Sequence, residues 1–268
     1  EQVTFPIAPV YRKKKIEFHQ ARAVSIHPEG NEDQPLPHVL VEYTEEGRSG
    51  RQTRIAYDYL INATGPRLRF DMTEGMGPGG NSLSVCTYGH AQETAAVFRE
   101  KIERMKKGET LDFLAGTGHG LCTCQGAAFE YLLNLEFEFR KAGVRDRANI
   151  TYISNEQFPG DFGMGGMHLK RGGYVTHSRI FTESLFSERG IKWISGAHVN
   201  KVEKDRVCYE NLDNEHREVH HDFAMLLPPF SGVGLTAFNC KGEEITSRLF
   251  APNGFMLVDG DYSGKPYE

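Results

Sequence analysis

The residues best suited to chemistry cluster around a run of three, Cys122-Thr123-Cys124, with Cys86 some way upstream. The run lies where a strand-like stretch, Thr110–Ala115, passes through Gly116-Thr117-Gly118-His119-Gly120 into a long helical pattern over Cys124–Ala142. A thiol at a helix N-terminus meets unpaired backbone N–H groups and the positive end of the dipole. Both should lower its pKa and favour the nucleophilic thiolate. Redox chemistry competes there with a buried structural pair, and with a soft-metal site completed by His119. The spacing is not that of a zinc knuckle and no second Cys pair occurs, so no metal is expected. Cys86 stands four residues before His90 at the start of another helical pattern. The plain alternative there is a small buried hydrophobe beside a surface histidine. Cys208 and Cys240 lack companion ligands and should be inert, and His216, His220 and His221 should lie on solvated strand and turn.

Gly116, Gly118 and Gly120 after a buried strand have the form of a dinucleotide phosphate cradle. The third glycine of G-x-G-x-x-G would fall at Leu121, so the match is imperfect. Glu156 follows the next strand, where a ribose-binding acid would sit, but at 40 residues beyond Gly116 instead of about 20. The alternative is a nucleotide-type fold whose pocket does not bind nucleotide. The bulk of His119 and the side chain of Leu121 predict weak or absent NADH binding.

These residues need a scaffold, and the pattern supplies one. Short strands are predicted at Ile16–Gln20, Ala23–Ile26, Val39–Tyr43, Gln52–Tyr57 and Tyr59–Ala63, the last ending in the turn Ala63-Thr64-Gly65. Residues 67–84 have no period and read as a linker or lid. Helices are predicted over His90–Lys107, Cys124–Ala142 and Thr176–Glu188, with a loop over Gln157–Gly173. Strands are predicted at Ile150–Ser154, Ile191–Ile194, Val199–Val202, Arg206–Tyr209, Phe223–Leu227 and Phe255–Val258. Strand–helix–strand order over 110–194 implies βαβ units and a parallel sheet. The expected class is α/β, a Rossmann-like domain of FAD/NAD(P)-binding type over 85–230. A β-meander piece at 1–66 and a return segment at 231–268 belong to a second domain.

The chain of 268 residues has a formal net charge of -5, which argues against a nucleic-acid partner. Its apolar runs fall short of the roughly 20 residues a membrane span needs. The odd cysteine count, five, argues against a secreted disulfide framework. The start at Glu1 and the end at Gly264–Glu268 read as those of an excised piece.

Four words together resemble the flavoprotein disulfide-reductase superfamily, and within it the sulfide:quinone oxidoreductases. They are Tyr59-Leu60-Ile61-Asn62-Ala63-Thr64-Gly65-Pro66, Ser84-Val85-Cys86 with His90-Ala91, Cys124-Gln125-Gly126-Ala127-Ala128-Phe129-Glu130, and Leu227-Pro228-Pro229-Phe230-Ser231-Gly232-Val233-Gly234. The Ala-Thr-Gly turn is generic to the superfamily, and the cysteine-centred words are more specific. The resemblance implies FAD in the whole protein, a sulfide or other small sulfur donor, and a membrane quinone as acceptor. It makes Cys124 a redox cysteine, Cys86 an accessory one, His90 a proton-handling residue and Glu130 a nearby carboxylate. Ala63, Thr64 and Gly65 would touch FAD, and Asp161 falls where the family carries a second histidine. The N-terminal FAD-binding half and a C-terminal segment with the partner cysteine are missing from the match. The chain alone is therefore expected to be colourless, inactive and soluble, with membrane contact made by segments outside it; oligomeric state is left open. The rivals are a type II NADH:quinone dehydrogenase and a non-catalytic Rossmann-like nucleotide-binding module.

Overall fold

The computed structural model describes residues 5–259. The chain ends on which the reading of an excised piece rests lie outside these. In chain order the elements are α1 (Ile7–Lys13), β1 (Ala21–His27), β2 (His38–Tyr43), β3 (Gln52–Ala56), β4 (Arg67–Leu68), α2 (Tyr88–Lys106), β5 (Leu111–Thr117), α3 (Gln125–Lys141), β6 (Ala148–Ile153) and β7 (His168–Arg171). They continue with β8 (Tyr174–His177), α4 (Ser178–Glu188), β9 (Ile191–Ile194), β10 (His198–Val202), β11 (Arg206–Glu210), β12 (His216–His220), β13 (Phe223–Leu227), β14 (Phe230–Ser231), β15 (Thr236–Ala237) and α5 (Thr246–Leu249). The chain divides into two compact units, Glu1–Arg67 with Ser231–Glu268, and Leu68–Phe230.

The first unit is built on a sheet ordered β15-β1-β2-β3, antiparallel except for the β1–β15 pair. Ile26, Leu235, Ala237, Ile245 and Phe250 form its core. His38 is fully buried and stacks on His27 at 4.5 Å, and Phe238 stacks on His27 at 5.4 Å. Two predicted strands are absent: Ile16–Gln20 is irregular, and Tyr59–Ala63 has no regular structure, with Tyr59 94% and Ile61 89% exposed. A strand like Tyr59–Ala63 is stabilised by neighbours on both edges, and no described strand pairs with it. Phe255–Val258 likewise contributes only the isolated Phe250–Met256 bridge.

The second unit has three layers. Its sheet, β13-β5-β6-β9, is parallel throughout, with α3 crossing from β5 to β6 and α4 lying between β6 and β9 in the chain. Strand alternation sorts the side chains. Phe113, Ala115, Phe223, Met225 and Leu227 pack with Met105, Leu132, Phe139 and Phe186 of the helices. Leu114, Ala224 and Leu226 face the other way, onto Val199, Val202, Val207 and Tyr209 of the antiparallel meander β10-β11-β12. Thr87 caps α2 by accepting from the His90 N–H at 3.2 Å, and Gly108, at φ +108°, ends it.

Residues 67–84 are not a linker. Thr73, Met76, Ser82 and Ser84 are buried, and Leu83 bridges to β13 through Leu83 N–H to Ala224 O at 2.8 Å. Glycine richness here serves close packing: Gly75, at φ +73°, lies against the Val202 carbonyl, where a Cβ would collide. The loop predicted over Gln157–Gly173 contains β7, paired with β8, so α4 starts at Ser178. His221 is buried, not solvated, because the chain turns inward to begin β13.

Burial lowers the pKa of both His221 and His27, with His38 adding to the effect on His27. Each is thus held neutral in the fold and titrates below its unfolded value of about 6.5. Between those two values the unfolded chain binds more protons, so stability is lost as pH falls from about 6.5 toward the folded pKa. Thermal melts should show a lower Tm at about pH 5.5 than at about pH 7.5, and the drop should shrink in His27→Gln/His221→Gln. An unchanged drop in the double variant would assign the acid sensitivity to other groups.

A thiol cluster at the carboxyl edge of the parallel sheet

The loop from β5 to α3 is held by one side-chain network. Thr117, fully buried at the end of β5, donates its hydroxyl to Asn155 Oδ1 at 3.2 Å and accepts the Asn155 N–H at 3.1 Å. Asn155 Nδ2 donates to Gly120 O at 2.8 Å and to Cys122 O at 3.0 Å. Buried Gln125 adds its Nε2 to Cys122 O at 2.9 Å and to Asn155 Oδ1 at 3.2 Å. The network fixes two cysteines differently. Cys122 is 1% exposed, and its thiol donates to Pro228 O at 3.5 Å. Cys124, half-buried, is the residue that leads into α3.

Cys86 reaches the same neighbourhood from the other side of the sheet order. The Leu83 bridge to β13 lays Ser84 and Cys86 beside the core that Cys122 and Cys124 also line. Cys122 sits in that core, and Cys86 and Cys124 pack against it. The Ser84 hydroxyl is buried, accepts the Cys86 N–H at 3.2 Å and lies 3.2 Å from His90 Nδ1. It also stabilises the Cys86 sulfur by hydrogen bonding, while burial pushes that thiol up. Of the expected site residues, then, Cys86 and His90 come together through Ser84, and Cys124 packs against the same core as Cys86. Glu130 does not: it is exposed on α3, and its carbonyl accepts from Asn134.

Cys122 corrects the expectation of a lowered pKa. Burial pushes its thiol up to about 11, outweighing the favourable backbone N–H groups of Thr123 and Cys124. His119 Nδ1 accepts the Leu121 N–H at 3.0 Å, and among the described residues the metal-capable side chains that converge are Asp112, His220 and Asp222.

The glycine turn is a closed structure in place of an open phosphate cradle. Gly118 N–H donates to Leu227 O at 2.8 Å, Gly120 N–H to His198 Nδ1 at 3.0 Å, and Cys122 N–H to His119 O at 3.1 Å. The missing side chains of Gly116, Gly118 and Gly120 make room for Ile153, for Met76 and Leu226, and for the His198 ring. The turn's own N–H groups at Gly118, Gly120, Leu121 and Cys122 are spent on protein. Glu156 is not free for a ribose either. It is buried, accepts from Tyr152 OH and Ser154 OH at 2.9 Å each and from the Phe162 N–H at 2.6 Å, and burial raises its pKa. Asp161 holds the Gly163 and Gly165 N–H groups at 2.9 and 3.3 Å.

In the first unit, Ala63, Thr64 and Gly65 are exposed. Thr64 lies at the edge of a cleft of about 580 Å³ with Arg22, Val233 and Gly234. Gly65, at φ +75°, has open space where a Cβ would be. An exposed hydroxyl, a bare glycine and a roomy cleft suit part of a dinucleotide.

The parallel sheet with helices on one face and a meander on the other defines an FAD/NAD(P)-binding fold of the disulfide-oxidoreductase type. NDH2 from Plasmodium falciparum, solved in complex with NADH, shares that fold at a TM-score of 0.54 and 13% identity, over 81% of this chain and 41% of that one. No protein-family model matches the chain. The chain is 35% identical over its whole length to the sulfide-quinone reductase of Aquifex aeolicus (strain VF5), spanning 54% of that protein. The X-ray structure of the sulfide:quinone oxidoreductase from the same bacterium superposes at a TM-score of 0.65 and 36% identity, over 85% of this chain and 46% of that one. The chain is thus similar along its whole length to these sulfide:quinone oxidoreductases and spans about half the length of the relatives.

Sequence reasoning passed over Asn155, Ser84 and His198. For Asn155 a signal existed, since it lies two residues past β6 at the carboxyl edge where such sheets build their sites. Titration calorimetry with NADH should give no saturable binding, because four N–H groups of the turn already have acceptors. Tight one-to-one binding would mean that the turn opens.

Proposed function

We propose that the chain is the thiol-bearing part of a flavin-dependent sulfide:quinone oxidoreductase, which oxidises sulfide and passes electrons to a membrane quinone. The observation that carries this reading is that Cys86, Cys122 and Cys124 line one core, with His90 tied to Cys86 through Ser84. HS⁻ attacks one sulfur of an oxidised pair that includes Cys124. The S–S bond breaks, a persulfide forms on the attacked cysteine, and the other sulfur leaves as a thiolate. Cys86 serves as the accessory thiol. The Ser84 hydroxyl stabilises its anion, and His90 Nδ1, on the other side of Ser84 Oγ, takes or returns the proton. Cys122, buried and hard to ionise, packs and does not attack.

FAD, when bound, supplies the two-electron acceptor for this sulfur chemistry. Thr64, Gly65 and the neighbouring Ala63 would hold part of it, with Arg22, Val233 and Gly234 lining the same cleft. The isolated chain is proposed to be inactive, and the membrane association of the whole protein to be peripheral. No helix among the described residues is long and apolar enough to cross a membrane. The rival NADH dehydrogenase reading needs a working nicotinamide site, which the spent donors of the Gly118–Cys122 turn disfavour.

Sulfide-driven loss of the flavin band at about 450 nm tests the reading in the intact protein. Cys124→Ser should abolish bleaching, Cys208→Ser should leave it nearly intact, and Cys122→Ser should fall between them. Ser84→Ala should slow it about tenfold and move its pH profile, because the Cys86 anion loses a hydrogen bond. Normal bleaching in Cys124→Ser, or bleaching by NADH and not by sulfide, would overturn the proposal.

A further inference from the structure

The glycine turn is held shut by two histidines that the thiol site does not use. The Gly120 N–H donates to His198 Nδ1 and the Leu121 N–H to His119 Nδ1, at 3.0 Å each. An Nδ1 that accepts carries no proton, so each neutral ring keeps its one hydrogen on Nε2. The two rings meet edge to face, with centroids 4.8 Å apart. His119 is half-buried and His198 exposed, so protons from solvent reach both.

A second proton reverses both contacts. An imidazolium carries hydrogens on both nitrogens and has no acceptor left. Its Nδ1–H would point at a backbone N–H, donor against donor, and that hydrogen bond must break. Two charged rings at this separation also repel each other. The titratable groups around the pair come from four elements. His198 itself acts on His119, and Glu210 stands opposite His198 across the β10–β11 ladder. Glu74, on the segment that packs Met76 over Gly118, is paired with Lys201 at 3.4 Å. Glu156, beside Asn155, has its carboxylate engaged by Tyr152, Ser154 and the Phe162 N–H. The Cys122 thiol donates to Pro228 O.

We propose that the β5–α3 turn is an acid-operated latch, in which protonation of His119 and His198 releases the N–H groups of Leu121 and Gly120 and loosens the loop that leads into Cys124. At neutral pH the latch is shut and the donors are spent. In acid the same donors become available at the carboxyl edge of the sheet. Burial, with His198 adding to it, lowers the His119 pKa. The shut turn is therefore fully favoured above the ordinary imidazole value of about 6.5, and loses that advantage as pH falls toward the lower value of the shut form. The latch rests on the turn's own hydrogen bonds and not on the sulfide reading, so either can fail alone.

Amide exchange followed by NMR from about pH 7.5 to about pH 5, corrected for the pH dependence of intrinsic exchange, tests it. Protection of Gly120 and Leu121 should fall about tenfold per pH unit below the midpoint of the rings. Gly118, whose acceptor is the Leu227 carbonyl, should keep its protection. Ring nitrogen shifts should report an unprotonated Nδ1 on both histidines at neutral pH, and its protonation should coincide with the loss of amide protection. Asparagine places an amide oxygen where Nδ1 stood and does not titrate. His119→Asn should therefore remove the pH dependence at Leu121 and leave it at Gly120, and His198→Asn should do the reverse. Protection that survives while the rings take up their protons, read in the unsubstituted protein, would overturn the proposal whatever the variants do. So would equal loss at Gly118, or a pH dependence that persists in His119→Asn/His198→Asn.

Discussion

The side-chain amide of Asn155 is the interaction on which the site depends. Its nitrogen holds the carbonyls of Gly120 and Cys122, and its oxygen accepts from Thr117 and Gln125. One residue thereby ties the end of β6 to the end of β5, to the loop and to the first residue of α3. A loop of this length would otherwise sample many conformations, at a cost of about 1–2 kcal/mol per residue when it is ordered. With the amide in place, Cys122 is pinned under the loop and Cys124 is delivered to the start of the helix. Cys86 arrives independently, through the bridge of Leu83 to β13.

The same locking separates this unit from the nucleotide-binding use of its fold. A dinucleotide site at this edge needs unpaired N–H donors and space over the glycines. Here His119 and His198 take two of those donors on their Nδ1 atoms, and Leu227 takes a third. Burial lowers the His119 pKa, with the nearby His198 adding to the effect, which favours the neutral ring that can accept. Met76, from a segment with no obvious period, fills the space over Gly118. The scaffold is kept, and its polar capacity is turned inward to position sulfur.

Much of the scaffold was legible because it rests on strong local patterns. The continuous apolar runs of β5 and β13 and the helical spacing of α2 and α3 each carry their own signal, and with them the α/β class. The Cys122-Thr123-Cys124 run was equally plain. What escaped depends on long-range partners. Tyr59–Ala63 has the composition of a buried strand but no described neighbour to pair with. Residues 67–84 look like a linker because their glycines serve close backbone contacts, which no periodicity records. The reversal at Cys122 is of the same kind: a helix dipole can be anticipated from sequence, but the burial that overrides it cannot. Asn155, Ser84 and His198 are ordinary polar residues until the fold brings their partners within 3.2 Å.

The central claim is that the backbone donors of the β5–α3 turn are committed to the protein itself, through a loop that Asn155 holds closed. Amide hydrogen exchange at Gly118, Gly120, Leu121 and Cys122 measures that commitment residue by residue. All four amides should be protected in the native protein and unaffected by added NADH. In Asn155→Ala, Gly120, Leu121 and Cys122 should lose protection while the strand amides of β5 keep theirs. Exchange of Gly120 and Leu121 at unprotected rates in the native protein, or protection that appears only when NADH is added, would contradict the account.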